Sequence, residues 1–146
     1  MSAVLTGGCN CGAVRFEISE PLAEARYCHC RRCQRRSGSA ASATATLRPG
    51  SCRIVSGADQ LVRWNPGGGV RDKVFCGTCG SALFIQWPGE DDVLGVRLGS
   101  FDSDPGVRPS YRQFVAYAAA WEAIPDDGLP RYDERAQDRN PLRPWT

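Results

Sequence analysis

Histidine and lysine are nearly missing from this chain: His29 and Lys73 are single, against 17 arginines. With its one histidine wedged between two cysteines, a Ser/His or Cys/His hydrolase is hard to build. No apolar run approaches the roughly 18 residues that span a hydrocarbon layer. The opening residues, MSAVLTGGCNCGAV, carry neither the basic nor the apolar stretch of a secretory leader. The expectation is a cytoplasmic protein with no membrane attachment. Strong net charge is missing too: +2 overall, with a pI near 8.2, makes no global field that draws in nucleic acid or anionic lipid. Any basic effect must therefore be local, and a GC-rich codon usage accounts for much of the arginine excess. No repeat, low-complexity block or linker divides the sequence, so residues 1–146 read as one domain.

What is present fits an ordinary globular chain. At 146 residues, 42% hydrophobic and 23% charged, it can bury a real core. The pattern is mainly β. In AVRFEIS (13–19), Val14, Phe16 and Ile18 fall on one face while Arg15, Glu17 and Ser19 fall on the other. Further short strands are predicted at 42–47, 52–56, 61–64, 70–75, 82–87 and 93–98. They are separated by the turn-forming stretches RPG, SGAD, NPGGG and PGEDD. NPGGG is expected to close a hairpin. Helix is scarce: RRCQRRSG (31–38) fits one or two turns stopped at Gly38. After Trp121 the prolines at 125, 130, 141 and 144 predict an irregular arm over 122–146, lying on the body or fraying from it.

Eight cysteines dominate what remains, and in a reducing compartment clustered cysteines are metal ligands more often than disulfides. Seven fall in three groups, Cys9-x-Cys11, Cys28-x-Cys30-x-x-Cys33 and Cys76-x-x-Cys79. FCGTCGS looks like a zinc knuckle, which supplies two thiolates where structural zinc takes four. An extended C-x-C supplies the other two, because residues i and i+2 face the same way. Cys9, Cys11, Cys76 and Cys79 thus make a closed structural site that clips together distant parts of the chain. The middle group offers only three thiolates, the signature of a zinc with an open coordination position. Two alternatives remain open on spacing alone: Cys52 as a fourth ligand, or the two C-x-C elements paired with each other. If Cys28 and Cys30 face the metal, His29 is turned away from it.

The arginines beside that group then acquire a role. Three thiolates on one Zn²⁺ leave a net charge near −1, which positive charge and a helix N-terminus would stabilise. Arg31, Arg32, Arg35 and Arg36 are candidates for holding the carboxylates of an anionic ligand, since guanidinium forks match them. Thiolate-rich zinc is a poor Lewis acid for making hydroxide and is well suited to holding a further sulfur. The expected ligand is a small anionic thiol, activated towards an electrophile.

GGCNCGAVRFEI, YCHCRRCQRRSGSA and FCGTCGSALF, in that order and spacing, resemble the glutathione-dependent formaldehyde-activating enzyme family, which includes centromere protein V. VRLGSFD (96–102) and AWEAIPDDGLPRYDE (120–134) extend the likeness, which covers roughly residues 5–135. The resemblance implies a β-tent fold of short antiparallel sheets clamped by two zinc ions per chain. It implies a structural zinc on Cys9, Cys11, Cys76 and Cys79 and a catalytic zinc on Cys28, Cys30 and Cys33. The implied reaction adds glutathione to formaldehyde, giving S-hydroxymethylglutathione, classed in reverse as a carbon–sulfur lyase. Many members carry a lysine just before the proline and tryptophan of the C-terminal segment; VAYAAAWEA has neither before Trp121. The substrates carried over are therefore a class, a small anionic thiol and a small aldehyde, acted on by a monomer or homodimer. The rival reading is a zinc-organised module that binds a protein or nucleic acid without catalysis.

Overall fold

Alternation in the sequence becomes two sheets. The structure, a computed structural model, describes residues 4–68 and 70–136. In β2 (Arg15–Ile18) Phe16 and Ile18 are buried while Arg15 and Glu17 face outwards, as period two requires. β1 (Leu5–Gly8) and β5 (Cys52–Ser56) flank β2 in a three-stranded antiparallel sheet. The larger sheet has seven strands: β3 (Glu24–Cys28), β4 (Ser42–Thr46), β6 (Leu61–Trp64), β7 (Asp72–Cys76), β8 (Ala82–Gln86), β9 (Val93–Arg97) and β10 (Pro109–Gln113). Their order across the sheet is β10-β3-β4-β9-β8-β7-β6, antiparallel except where β10 meets β3. The protein is mainly β, with one α-helix among the described residues, α1 (Arg31–Ser37).

The small sheet covers one face of the large one, and the core lies between them. Phe16 makes edge-on contacts with Phe84 and Phe101, at ring-centroid distances of 5.3 and 5.6 Å. Val14, Ile18, Val74 and Val96 complete the apolar layer, all at most 1% exposed. The opposite face of the large sheet is polar. Residues opposed across antiparallel strands share a face. The pairs Arg26↔Thr44, Thr44↔Arg97, Gly95↔Ile85 and Ile85↔Lys73 therefore place Arg26, Arg97 and Lys73 on one side. That side carries the chemistry.

Every predicted strand overlaps an observed one, and β6 and β7 are joined through the NPGGG segment as antiparallel neighbours. Three strands escaped the sequence reading. β1 reads LTGG, with no alternation, because Gly7 sits where a Cβ would lie 2.4 Å from the Ser100 carbonyl and 2.5 Å from the Phe16 ring. β3 buries both Ala25 and Arg26, so neither face looks polar or apolar throughout. β10 begins with a proline at a sheet margin and pairs in parallel, a contact between segments far apart in sequence. The C-terminal arm lies along β10: Arg112 N donates to Pro130 O, Tyr132 N to Arg112 O and Phe114 N to Glu134 O. The part of the predicted arm beyond residue 136 lies outside the described residues.

Candidate functional site

The first cysteine cluster joins the small sheet to the large one. Cys9 and Cys11 sit in the turn after β1, which closes through Cys9 N to Val14 O and Gly12 N to Cys9 O. Cys76 ends β7, and the knuckle to Cys79 turns through Gly80, whose N–H donates to Cys76 O at 2.8 Å. The four sulfurs all lie within 4.8 Å of one another. Cys9 Sγ to Cys11 Sγ is 3.6 Å and Cys11 Sγ to Cys76 Sγ is 3.9 Å. A tetrahedron with bonds of about 2.3 Å to sulfur has edges of about 3.8 Å, so the donor set fits Zn²⁺. Backbone and hydroxyl groups already favour ionised sulfur here. Val14 N–H donates to Cys9 Sγ at 3.2 Å, and hydrogen bonding from Ser81 holds the Cys79 thiol at about 5.

The second cluster is built by the end of β3 and the start of α1. Cys28 is the last residue of β3, Cys30 is the N-cap, and Cys33 follows one turn later. The Cys30 sulfur accepts the Cys33 backbone N–H at 3.3 Å, so a prospective metal ligand also caps the helix. These three sulfurs likewise lie within 4.8 Å of one another. Three thiolates so close cannot all be charged unless a cation sits among them. The Cys33 thiol is pulled down to about 2 by hydrogen bonds from Cys28 and Cys30, helped by Ser42 and Arg97, while hydrogen bonding with Cys30 and Cys33 pushes Cys28 far up. A soft divalent cation resolves that conflict, and no fourth protein ligand joins the group among the described residues. Cys52 lies in β5 of the small sheet, its thiol raised to about 12 by burial, and belongs to neither cluster. No disulfide forms among the eight cysteines.

The open side of the second cluster faces a cavity of about 480 Å³ whose floor is the polar face of the large sheet. Cations line it from every side: Arg26, Arg97 and Lys73 from strands, Arg71 just before β7, Arg31 and Arg32 from α1, and Arg135 from the C-terminal arm. No carboxylate is among the described lining residues. Phe114 and Tyr117 form an aromatic border. Phe114 is held at φ 57°, a left-handed conformation that a bulky residue adopts only under constraint from its surroundings. The Tyr117 hydroxyl donates to Glu134 at 2.6 Å, tying the border to the arm.

Of the four arginines singled out in the sequence, Arg31 and Arg32 line this cavity. Arg35 is exposed, and Arg36 packs over the Phe75 and Trp64 rings at 5.4 and 5.9 Å, fastening α1 to β6 and β7. His29 is turned away from the sulfurs, as strand geometry predicts. It is 3% exposed, and its Nε2 lies 3.2 Å from an Arg112 guanidinium nitrogen. Burial first, then Arg112, lowers its pKa, so the ring is kept neutral. Arg112 in turn pairs with Asp127 and covers the Tyr27 ring. Sequence reasoning missed Arg26, Arg71, Lys73, Arg97 and Arg135, which were submerged in a general arginine excess. The one available signal was Lys73, a solitary lysine two residues before the knuckle phenylalanine.

Fold and site together define a mainly β protein with one closed four-thiol cluster and one open three-thiol cluster at a cationic cavity. The family model described as glutathione-dependent formaldehyde-activating enzyme matches residues 4–117. A Halomonas elongata protein named provisionally as such an enzyme is 27% identical, the match covering 69% of this chain and 68% of that protein. A crystal structure of a Rhodobacter sphaeroides protein superposes with a TM-score of 0.54 at 31% identity, over 88% of this chain and 99% of that one. The chain belongs to the glutathione-dependent formaldehyde-activating enzyme family.

Proposed function

We propose that this protein is a zinc enzyme of the carbon–sulfur lyase type, adding a small anionic thiol such as glutathione to formaldehyde or another small aldehyde. The observation that carries the reading is the three-thiol cluster opening into a cavity lined by cations and free of described carboxylates. A zinc ion held by Cys28, Cys30 and Cys33 would keep a substrate thiol ionised at its open position. The residues around it do the rest. Arg31 and Arg32, with Arg26, Arg97 and Arg135 across the cavity, hold carboxylates of the thiol and so fix where its sulfur lies. Phe114 and Tyr117 narrow the entrance and displace water. Cys9, Cys11, Cys76 and Cys79 hold a second zinc that is structural, giving two per chain. Eight cysteines without a disulfide suit a reducing compartment, the cytoplasm.

The test follows exchange between free formaldehyde and its glutathione adduct by NMR, with metal content measured alongside. The zinc-loaded wild type is expected to accelerate exchange. Cys30→Ser is expected to bind one zinc fewer, lose the acceleration and keep its fold. A folded variant that exchanges as fast as wild type would remove the chemistry from this cluster. A wild type with two zinc ions and no acceleration would retire the formaldehyde–glutathione pair.

A further inference from the structure

Adding a thiol to an aldehyde moves a proton as well as making a bond. The sulfur attacks the carbonyl carbon, the C–S bond forms, and the carbonyl π electrons become an alkoxide that must be protonated. The thiol must also give up its proton beforehand. The cavity holds few groups able to do this near neutral pH. Its arginines keep their protons under all ordinary conditions. The Tyr117 hydroxyl is committed to Glu134, which raises its pKa. His29 is buried behind the cysteines against Arg112. The cavity cysteines are the prospective metal ligands.

Lys73 is left. It projects from the second position of β7, flanked across the sheet by Trp64 and Ile85, onto the face that floors the cavity. No hydrogen bond or ion pair engages its ammonium among the described residues, although Arg63 and Asp72 beside it are paired. Cys33 and Cys30 are close enough to act on its charge.

We propose that Lys73 is the proton carrier of the reaction: its ammonium protonates the alkoxide as the C–S bond forms, and the resulting amine removes the proton of the next thiol. The cycle closes with no other co-reactant, since thiol and aldehyde enter and the hydroxymethyl thioether leaves. This assignment rests on the thiol–aldehyde reading above.

The charges around Lys73 suit that task. Burial, Arg71 just before its own strand and Arg97 from β9 lower its pKa, against an opposing pull from Cys33 and Cys30. The balance is about 8, compared with an ordinary 10.5. Arg26 from β3, Arg31 and Arg32 from α1 and Arg135 from the arm share the cavity and add positive charge. Both protonation states are thus populated near neutrality, where a general acid–base is most effective. A guanidinium in the same place would supply charge without the proton.

The scarcity of lysine makes the test direct. Zinc-loaded protein labelled with [¹³Cε]lysine gives one side-chain signal, from Lys73. Its titration midpoint is expected within about one unit of 8, and a midpoint at the ordinary value overturns the proposal without any variant. Lys73→Arg is expected to slow formaldehyde–glutathione exchange by roughly 10²–10⁴-fold while keeping both zinc ions. An inflection near pH 8 in the wild-type rate profile should vanish with it. Equal rates and an unchanged pH profile in Lys73→Arg, beside an active wild type, would overturn the role of Lys73 alone. A wild type that leaves the exchange unaccelerated would overturn the reading beneath it as well.

Discussion

Asp102 shows how one side chain fastens the first cluster's surroundings. It accepts from Thr6 of β1 at 2.6 Å and forms an ion pair with Arg15 of β2, holding the start of the small sheet to the segment after β9. The Arg15 guanidinium, then the Thr6 hydroxyl, lowers its carboxyl pKa to about 2 from 3.8. Because the folded value lies below the unfolded one, the pair stabilises fully above 3.8 and loses its effect as pH falls through 2. Asp102→Asn is therefore expected to be less stable than wild type in urea at pH 7, with the two converging near pH 2. Both partners are about two-fifths exposed, so the difference should also shrink as salt is added. A difference that persists at pH 2 would show that Asp102 acts by something other than its charge.

Among the elements, α1 is the one whose placement decides the site. Seven residues cannot hold a helix in water unaided. Cys30 caps its start, and Gln34 anchors its middle by donating to His29 O at 2.7 Å and Tyr117 O at 2.8 Å. Gly38 ends it at φ 66°, its N–H donating to Gln34 O. A Cβ at Gly38 would meet nothing within 4 Å, so the cost of Gly38→Ala is one of backbone conformation. That cost is about 1 kcal/mol, or a drop of about 2–4 °C in Tm for a chain of this size. A calorimetric scan checks it, and an unchanged Tm would mean that another conformation stops the helix equally well. The loss should leave Cys76 and Cys79, and hence the first cluster, unaffected.

For the molecule as a whole, the first cluster is the one that spans the two sheets. It joins the turn after β1 to the end of β7, and so joins the two sheets whose inner faces make the core. Without a cation, its sulfurs would be packed together with no bond between them. Stripping metal with a strong chelator is expected to lower Tm sharply and to broaden the transition. Cys76→Ser should reproduce this, because it also removes a fully buried side chain at the edge of the core. Cys30→Ser should change Tm far less, since the second cluster ties only a strand end to the helix beside it. Differential scanning calorimetry of the two variants gives the comparison. Equal losses would make both clusters structural.

The residues themselves determined the strands that alternate, the helix that stops at glycine, and the three-cysteine group, because each of these is local. Cys28, Cys30 and Cys33 fall within six positions, and their spacing alone turns three sulfurs to one side and His29 to the other. The first cluster was legible only in part: each pair reads as a two-ligand unit, but spacing left open which pairs combine, and the fold brings Cys9 and Cys11 to Cys76 and Cys79. The cavity was not legible. Arg26, Arg97 and Lys73 lie on β3, β9 and β7, which are linked only through β4 and β8, and sheet order follows from which faces bury each other. Arg135 reaches the cavity only because the arm runs beside β10. Tertiary structure alone decided which few of the 17 arginines surround the open thiols, and that the one lysine stands among them. Charge in a sequence carries no address; the packing of the sheets supplied it.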